Sequence, residues 1–453
     1  MQLSIPRVGR SASIKAMTIA LLILVLLIPM SMIKDVVRDR NQVHEHARGD
    51  IKRSWGFEQL IAGPVLVVPY SVRSKNAQGQ DRVDTRRAYI LPTELDIAAE
   101  TAPEIRRRGL HKVPIYTASV TLRGSFPRPD VQSLNLGYGV PDWSKAFVAL
   151  SISDARAIAE TPSVTLGKRS SRFAASGMQL LGGLAAPIVA LSGQPFEDGK
   201  DSVDFAIDLR VKGSDALRFL PLADTTLVTM TSTWANPSFV GNHLPETREI
   251  SASGFTAEWR IAGLGRSLPS QWTDGSQSGG NFSPQAFGVT FYMPVSLYQV
   301  TLRASKYAVL FIGLSFVAYF LFEILGDLRL HPLQYLLVGF ANALFYLLLL
   351  SLAEHMGFGG AYFLSATAST TLISGYSAAV LRGRRPGLIM AVVLGLLYAF
   401  LYMTLKAENF ALLVGSIGLW AALAAVMYAT RKIDWYAYSN PKPAADSGET
   451  SSA

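Results

Sequence analysis

Apolar positions fall into six long runs, one ahead of a long polar insert and five behind it. The first covers 16–33, and the others cover 307–325, 333–353, 358–381, 388–405 and 410–430. Each approaches the ~20 residues that a helix needs to cross the hydrocarbon core. Residues 34–306 are too polar to sit in lipid. The pattern predicts a mixed membrane protein of six spans in a 1+5 arrangement. Residues 1–15 precede a transmembrane anchor helix at 16–33, a water-exposed domain spans 34–306, and a five-helix transmembrane bundle spans 307–430. The tail, 431–453, is rich in Pro, Ala, Ser and Gly and has too little apolar surface to order itself.

Inside the insert the hydrophobic period becomes two. Val203, Phe205, Ile207, Leu209 and Val211 alternate with Asp204, Ala206, Asp208 and Arg210. Tyr116, Ala118, Val120 and Leu122 do the same, as do Phe255, Ala257, Trp259 and Ile261, and 225–234 is rich in β-branched residues. One apolar and one wet face means antiparallel strands covering a core. The expectation is a large β-rich, sandwich-like domain with minor helices at 154–160, capped by Asp154 or Ser153, and at 214–220, stopped by Pro221. The segment 273–284, with Gly275, Gly279, Gly280 and Pro284, reads as a loop. The apolar segment 180–191 is broken by Gly182, Gly183 and Pro187. It is too short to span a bilayer and reads as a buried loop or strand, the alternative being an apolar face toward the membrane or a partner.

The charge pattern orients this scheme. The net charge is +9, but many cations flank the apolar runs, and no basic stretch carries interleaved aromatics. Nucleic acid is therefore not an expected partner. With both termini in the cytoplasm, Arg329, Arg382, Arg384, Arg385, Arg431 and Lys432 all fall inside, as short-loop cations should, and the insert falls outside. Arg7, Arg10 and Lys15 precede the first run, but 29–34 lacks a small-x-small cleavage pattern, so an uncleaved anchor is expected. Tyr307, Tyr335, Trp435, Tyr436 and Tyr438 sit where interfacial anchors belong. The chain has no cysteine, which removes disulfides, thiolate nucleophiles and Cys-based zinc sites.

Catalytic signatures do not stand out. Gly-x-Ser-x-Gly, His-Glu-x-x-His and Walker patterns are missing, so no enzyme activity, cofactor or metal is expected. His44-Glu45-His46 would put two imidazoles on one strand face, but no third ligand is nearby, and a solvated linker explains the motif. Polar groups at membrane depth are better candidates: Glu323 near the inner end of the second span, Asn342 midway along the third, and Glu354 and His355 at its outer edge. Interfacial capping and one interhelical hydrogen bond account for them; a polar path or cleft between helices is the alternative. In the fourth span Ala366, Thr370, Ser374 and Ala378 recur every four residues beside Ser365, Ser369 and Ser377, a pattern suited to close helix packing. Gly357, Gly359 and Gly360 mark its outer end. The five-helix bundle shows no inverted repeat, which argues against a secondary transporter.

Several segments together resemble a known family. They are Gly63-Pro64-Val65-Leu66 with Val68-Pro69-Tyr70; Arg107-Arg108-Gly109 with Val113-Pro114-Ile115-Tyr116; Arg303-Ala304-Ser305-Lys306-Tyr307-Ala308; His331-Pro332-Leu333-Gln334-Tyr335; and, most specific, the run from Leu350 through Glu354, His355 and Met356 to Phe358. These resemble the CreD family of bacterial inner-membrane, cell-envelope integrity proteins over nearly the whole chain except the tail. One departure lies at Trp234-Ala235-Asn236-Pro237-Ser238-Phe239, where the family tends to place a proline directly after the tryptophan. The resemblance implies an inner-membrane location and a role in envelope stress and colicin tolerance, and it brings no catalytic residues. The resulting expectation is a non-enzymatic protein whose periplasmic domain binds an envelope protein or cell-wall component. Membrane lipid surrounds its helices. The alternative is a transporter or lipid-handling protein working through the bundle.

Overall fold

A computed structural model describes residues 12–75, 81–130, 132, 134, 136, 139–181, 184–196, 200–265, 269–274, 285–293, 297–325, 330–407 and 410–431. Residues 275–284 of the loop expected at 273–284, whose first residue Thr273 ends a short strand, lie outside the described residues, as do Arg329, Gly182, Gly183, Trp435 and the tail beyond Arg431. Contacts divide the chain into two compact units, one of residues 1–44 and 295–453, the other of residues 45–294.

The first helix, α1 (Ala12–Trp55), does not stop at the end of its apolar run. Beyond Ile33 it continues on polar residues stitched by pairs three apart: Asp35–Arg38 at 3.2 Å, Glu45–Arg48 at 3.7 Å and Asp50–Arg53 at 2.8 Å. His44 and His46 therefore lie on a helix, where positions two apart point roughly 200° from each other and cannot share a face.

The helical unit continues with α2 (Leu297–Lys306), α3 (Ala308–Leu325), α4 (Pro332–Met356), α5 (Phe358–Val380), α6 (Arg384–Lys406) and α7 (Ala411–Thr430). Among the described residues, α1, α4, α6 and α7 are each long and apolar enough to cross a membrane, and α2 with α3 forms a fifth candidate bent by 44°. α5 is not among these, being rich in Ser, Thr and Gly, yet it packs against both α4 and α6. Leu26 and Met30 of α1, Phe311 and Phe316 of α3, Phe345 and Leu349 of α4 and Leu394 and Leu401 of α6 share one core. Gly339 permits the close approach of α1 and α4: a Cβ there would lie 2.1 Å from Leu26 Cδ1. Small residues do the same between α5 and α6. A Cβ on Gly387 would lie 2.7 Å from the Ala378 Cβ and 2.9 Å from the Ser374 carbonyl, the packing role expected for that ridge.

The other unit is a two-sheet β structure. Its strands are β1 (Gln59–Lys75), β2 (Asp81–Ile90), β3 (Glu94–Arg108), β4 (His111–Pro127), β5 (Val140–Pro141), β6 (Phe147–Ile152), β7 (Ser163–Leu166), β8 (Arg169–Arg172) and β9 (Ala174–Leu181). They continue with β10 (Leu184–Leu191), β11 (Ser202–Ser214), β12 (Ala216–Phe219), β13 (Thr225–Ser232), β14 (Pro237–Gly241), β15 (Thr247–Ser251), β16 (Gly254–Ala262), β17 (Gln271–Thr273) and β18 (Phe287–Phe291). One sheet runs β14-β18-β12-β1-β6-β10-β9, with β2, β5 and β17 attached alongside; the other runs β15-β16-β13-β3-β4-β11-β7-β8. Leu66, Val148 and Leu150 from the first sheet and Val120, Leu122, Ile207 and Leu209 from the second share one core, which makes the unit a sandwich. Most pairings are antiparallel, as the alternation predicts, but β1–β12 and β3–β13 are parallel.

The helix expected at 214–220 is not formed. Asp215 adopts a left-handed turn (φ 58°), and β12 follows, with Leu217 and Phe219 buried. Gly213 is needed at this bend because a Cβ would meet the Tyr116 hydroxyl at 2.4 Å. That hydroxyl donates to the Ala216 carbonyl at 2.7 Å. At 154–160 only one 3-10 turn forms, Ala155–Ala157, with Asp154 as its cap. The apolar segment 180–191 is the β9–β10 hairpin at a sheet edge, where Leu180, Ile188 and Ala190 are buried and Leu191 is exposed.

Candidate functional site in the helical unit

Three helices carry buried polar stripes. On α3, Ser315, Tyr319 and Glu323 recur every four residues and so share one face; none exceeds 1% exposure. A carboxylate so placed needs partners, because desolvating a lone charge costs several kcal/mol. Glu323 has three: the Lys15 ammonium of α1, the Tyr335 hydroxyl of α4 at 2.9 Å and the Leu330 backbone N–H at 3.1 Å. One turn back, Tyr319 and Ser377 of α5 are joined hydroxyl to hydroxyl, and Ser377 also donates to the Ile373 carbonyl at 2.5 Å.

A second cluster lies further along α4. Asn342 donates to the Val338 carbonyl at 3.2 Å and accepts from the Tyr398 hydroxyl of α6 at 3.3 Å. The Tyr398 carbonyl in turn accepts from the Tyr362 hydroxyl of α5 at 2.7 Å. The Tyr346 hydroxyl and the Ser365 Oγ are also buried, and neither has a hydrogen-bond partner among the described residues. On α5, Ile373 is buried between Ser369 and Ser377 and separates this cluster from the one around Glu323.

The four polar positions singled out in the sequence are thus not one site. Glu323 belongs to the cluster with Lys15, and Asn342 to the cluster with Tyr398. Glu354 accepts from the Tyr298 hydroxyl of α2 at 3.2 Å, and the His44 ring of α1 is tilted against that tyrosine ring, centroids 5.3 Å apart. His355 is exposed. Tyr335, expected as an interfacial anchor, is instead buried on Glu323. Tyr319, Tyr362 and Tyr398 were missed by sequence reading, although Ser315, Tyr319 and Glu323 at four-residue spacing in an apolar run were a usable signal.

The β unit offers a different kind of surface. A trough of about 520 Å³ opens where β13 ends and β16 begins, between the middle of β3 and the edge strand β15. Its walls are hydroxyl-rich, with Thr231, Thr233, Ser251, Ser253 and Thr256, and carry two carboxylates, Glu100 and Glu249. Hydroxyls and carboxylates in an open trough suit hydrogen-bond donors of a polar polymer or peptide.

A family model described as inner membrane protein CreD matches residues 11–436. The chain belongs to the CreD family. It is 33% identical over 430 residues to the inner membrane protein CreD of Escherichia coli (strain K12), covering 93% of each chain. CreD membership accords with the apolar helices and supports an inner-membrane location. Two solved structures are similar at a much lower level. A candidate nutrient-binding protein of Legionella pneumophila aligns with 62% of this chain and 85% of its own at 10% identity and a TM-score of 0.23. An M1 zinc metallopeptidase of Deinococcus radiodurans aligns with 75% and 93% at 11% identity and a TM-score of 0.19. Those scores are too low to carry fold or function to this CreD protein.

Proposed function

We propose that this CreD-family protein supports envelope integrity under stress, colicin included, without being an enzyme. Its β unit would work in the periplasm by binding a cell-wall component or an envelope protein. Six spans would hold it in the inner membrane, with both termini in the cytoplasm. The observation that carries this reading is the open, hydroxyl- and carboxylate-lined trough of the β unit. It is a recognition surface in a unit with its own core, and α1 carries charged residues from Lys34 onward, where the chain leaves the apolar run.

The test is complementation. In a strain lacking the chain, the full-length protein with Glu100→Lys and Glu249→Lys is expected to lose stress tolerance at normal membrane abundance. Full tolerance in that variant would remove the trough from the function.

A second reading, in which the helical unit handles a lipid or carries a ligand, is favoured by one observation: the buried hydroxyls of Tyr346 and Ser365 have no hydrogen-bond partner among the described residues. Unsatisfied polar groups at membrane depth are costly and invite a ligand or water.

A further inference from the structure

Between α5 and α6 a groove of about 550 Å³ opens on the flank of the helical unit. Small residues make it: Gly359 and Ala366 on α5, Gly395 and Ala399 on α6. Its lip includes Phe363, which is exposed, and Thr367; its floor is formed by the rings of Tyr362, Tyr398 and Tyr402. Nothing lies within 4 Å of where a Gly395 Cβ would stand, so the space is open. The floor is part of the polar cluster described above, since Tyr398 and Tyr362 bond to each other and Tyr398 bonds to Asn342.

The groove is asymmetric along its length. At the α6 C-terminal end an aromatic collar closes it: Tyr402 stands 5.1 Å from Tyr362 and is stacked on Phe358 at 6.4 Å. Over the Tyr402 ring, 5.2 Å from its centroid, sits the ammonium of Lys406, which is exposed. An apolar slot that ends in an aromatic collar and one cation matches an amphiphile with an apolar tail and an anionic head. Aromatics and lysines are the residues that meet headgroups at a membrane surface.

We propose that the α5–α6 groove binds one anionic phospholipid, its acyl chain between Gly359 and Gly395 and its phosphate on Lys406. The inference rests on the second reading above and names its ligand class. It does not depend on what the β unit binds.

The test is native mass spectrometry of the full chain released from detergent, titrated with phosphatidylglycerol and, separately, phosphatidylcholine. The wild type is expected to retain one phosphatidylglycerol per chain after bulk detergent is stripped. Gly395→Leu fills open space and is expected to weaken retention of both lipids about tenfold, as is Thr367→Phe at the lip. Lys406→Gln is expected to erase the preference for the anionic lipid, about fivefold, while leaving chain binding. Gly415→Leu, in open space on α7, is the control and should bind as wild type. Should Gly395→Leu prove misfolded by its thermal transition, Thr367→Phe decides. The proposal is overturned if the wild type retains no lipid, if lipids add without a preferred stoichiometry, or if folded groove variants bind like the control. Because binding is read without any stress phenotype, lost lipid binding alongside intact tolerance in the groove variants would uphold the site and overturn only the handling role.

Discussion

Lys15 of α1 and Glu323 of α3 form an ion pair across the helical unit, and the carboxylate is almost wholly shut off from solvent. Tyr335 of α4 completes the contact. The N-terminal α1 is thus fastened at one level to the consecutive helices α3 and α4, the ion pair joining residues 308 positions apart. Removing one partner of a buried pair leaves the other charge uncompensated. Because Lys15 keeps some exposure, Glu323→Ala is expected to cost about 1.5–3 kcal/mol, seen as a drop in thermal midpoint in detergent and in membrane abundance. The double variant Lys15→Met with Glu323→Leu is expected to recover most of that loss, because it removes both charges. A double variant as unstable as Glu323→Ala would assign the effect to shape and not to charge.

Asn342 and Tyr398 meet more gently. Tyr398→Phe removes one hydrogen bond and keeps the ring. The expected loss is about 0.6–1 kcal/mol, in line with interhelical bonds inside membranes. A double-mutant cycle with Asn342→Leu should return a coupling of that size. A coupling indistinguishable from zero would show that the pair does not hold α4 to α6.

In the β unit, Tyr89 is the titration to follow. Burial, and then the Asp274 carboxylate that accepts its proton at 2.8 Å, push its phenol up to about 12. A raised acid pKa means that folding favours the protonated form. The stabilisation is complete below the unfolded value near ~10, declines above it, and is lost as pH passes about 12. Phenolate absorbance of the wild type minus that of Tyr89→Phe should therefore rise near pH 12. A difference curve with its midpoint near 10 would mean that Tyr89 is solvated.

Asp154 gives the acid counterpart. The Arg156 guanidinium, bonded at 2.9 and 3.1 Å, holds its carboxyl below the ordinary value against the opposing effect of burial, and the Phe57 N–H assists at 3.3 Å. A lowered pKa contributes stability above the unfolded value near ~3.9, and that contribution is lost as pH falls through the folded value. Asp154→Asn should destabilise the full chain by about 1–2 kcal/mol at pH 7, and the gap from wild type should close below pH ~4. A gap of constant size from pH 7 to pH 3 would point to packing instead.

Much of the fold was legible where one physical rule dominated. β11 and β16 fall where two-residue alternation put them, because each buries one face and wets the other, and β13 falls within 225–234, where β-branched residues pointed to a strand. The failures occur where rules competed. Residues 214–220 have helix-like composition, but the left-handed Asp215 and the buried Leu217 and Phe219 make them a strand. The apolar run of α1 ends near Ile33 while its helix does not, since acid–base pairs replace lipid as the stabilising partner and hydropathy is blind to them. Of the site residues, Glu323 and Asn342 announced themselves as polar groups in apolar runs. Their partners did not: Tyr335 read as an interfacial anchor and Tyr398 was not singled out, because a tyrosine hydroxyl in a membrane helix is only informative once a neighbour is known. At 234–239, where no proline follows the tryptophan, Trp234 Nε1 donates to the Asn236 and Tyr292 carbonyls.

The central claim is that the β unit faces the periplasm between an anchor helix and a bundle whose tail is cytoplasmic. A chain without cysteine allows one clean measurement of it. Single cysteines are introduced at Ala252, exposed at the turn between β15 and β16, and at Ser447 in the tail. Cells with a permeabilised outer membrane and an intact inner membrane are then treated with a membrane-impermeant maleimide. Labelling of Ala252→Cys, with Ser447→Cys reacting only after the inner membrane is opened, is the predicted result. Protection of Ala252→Cys together with free labelling of Ser447→Cys would contradict the account.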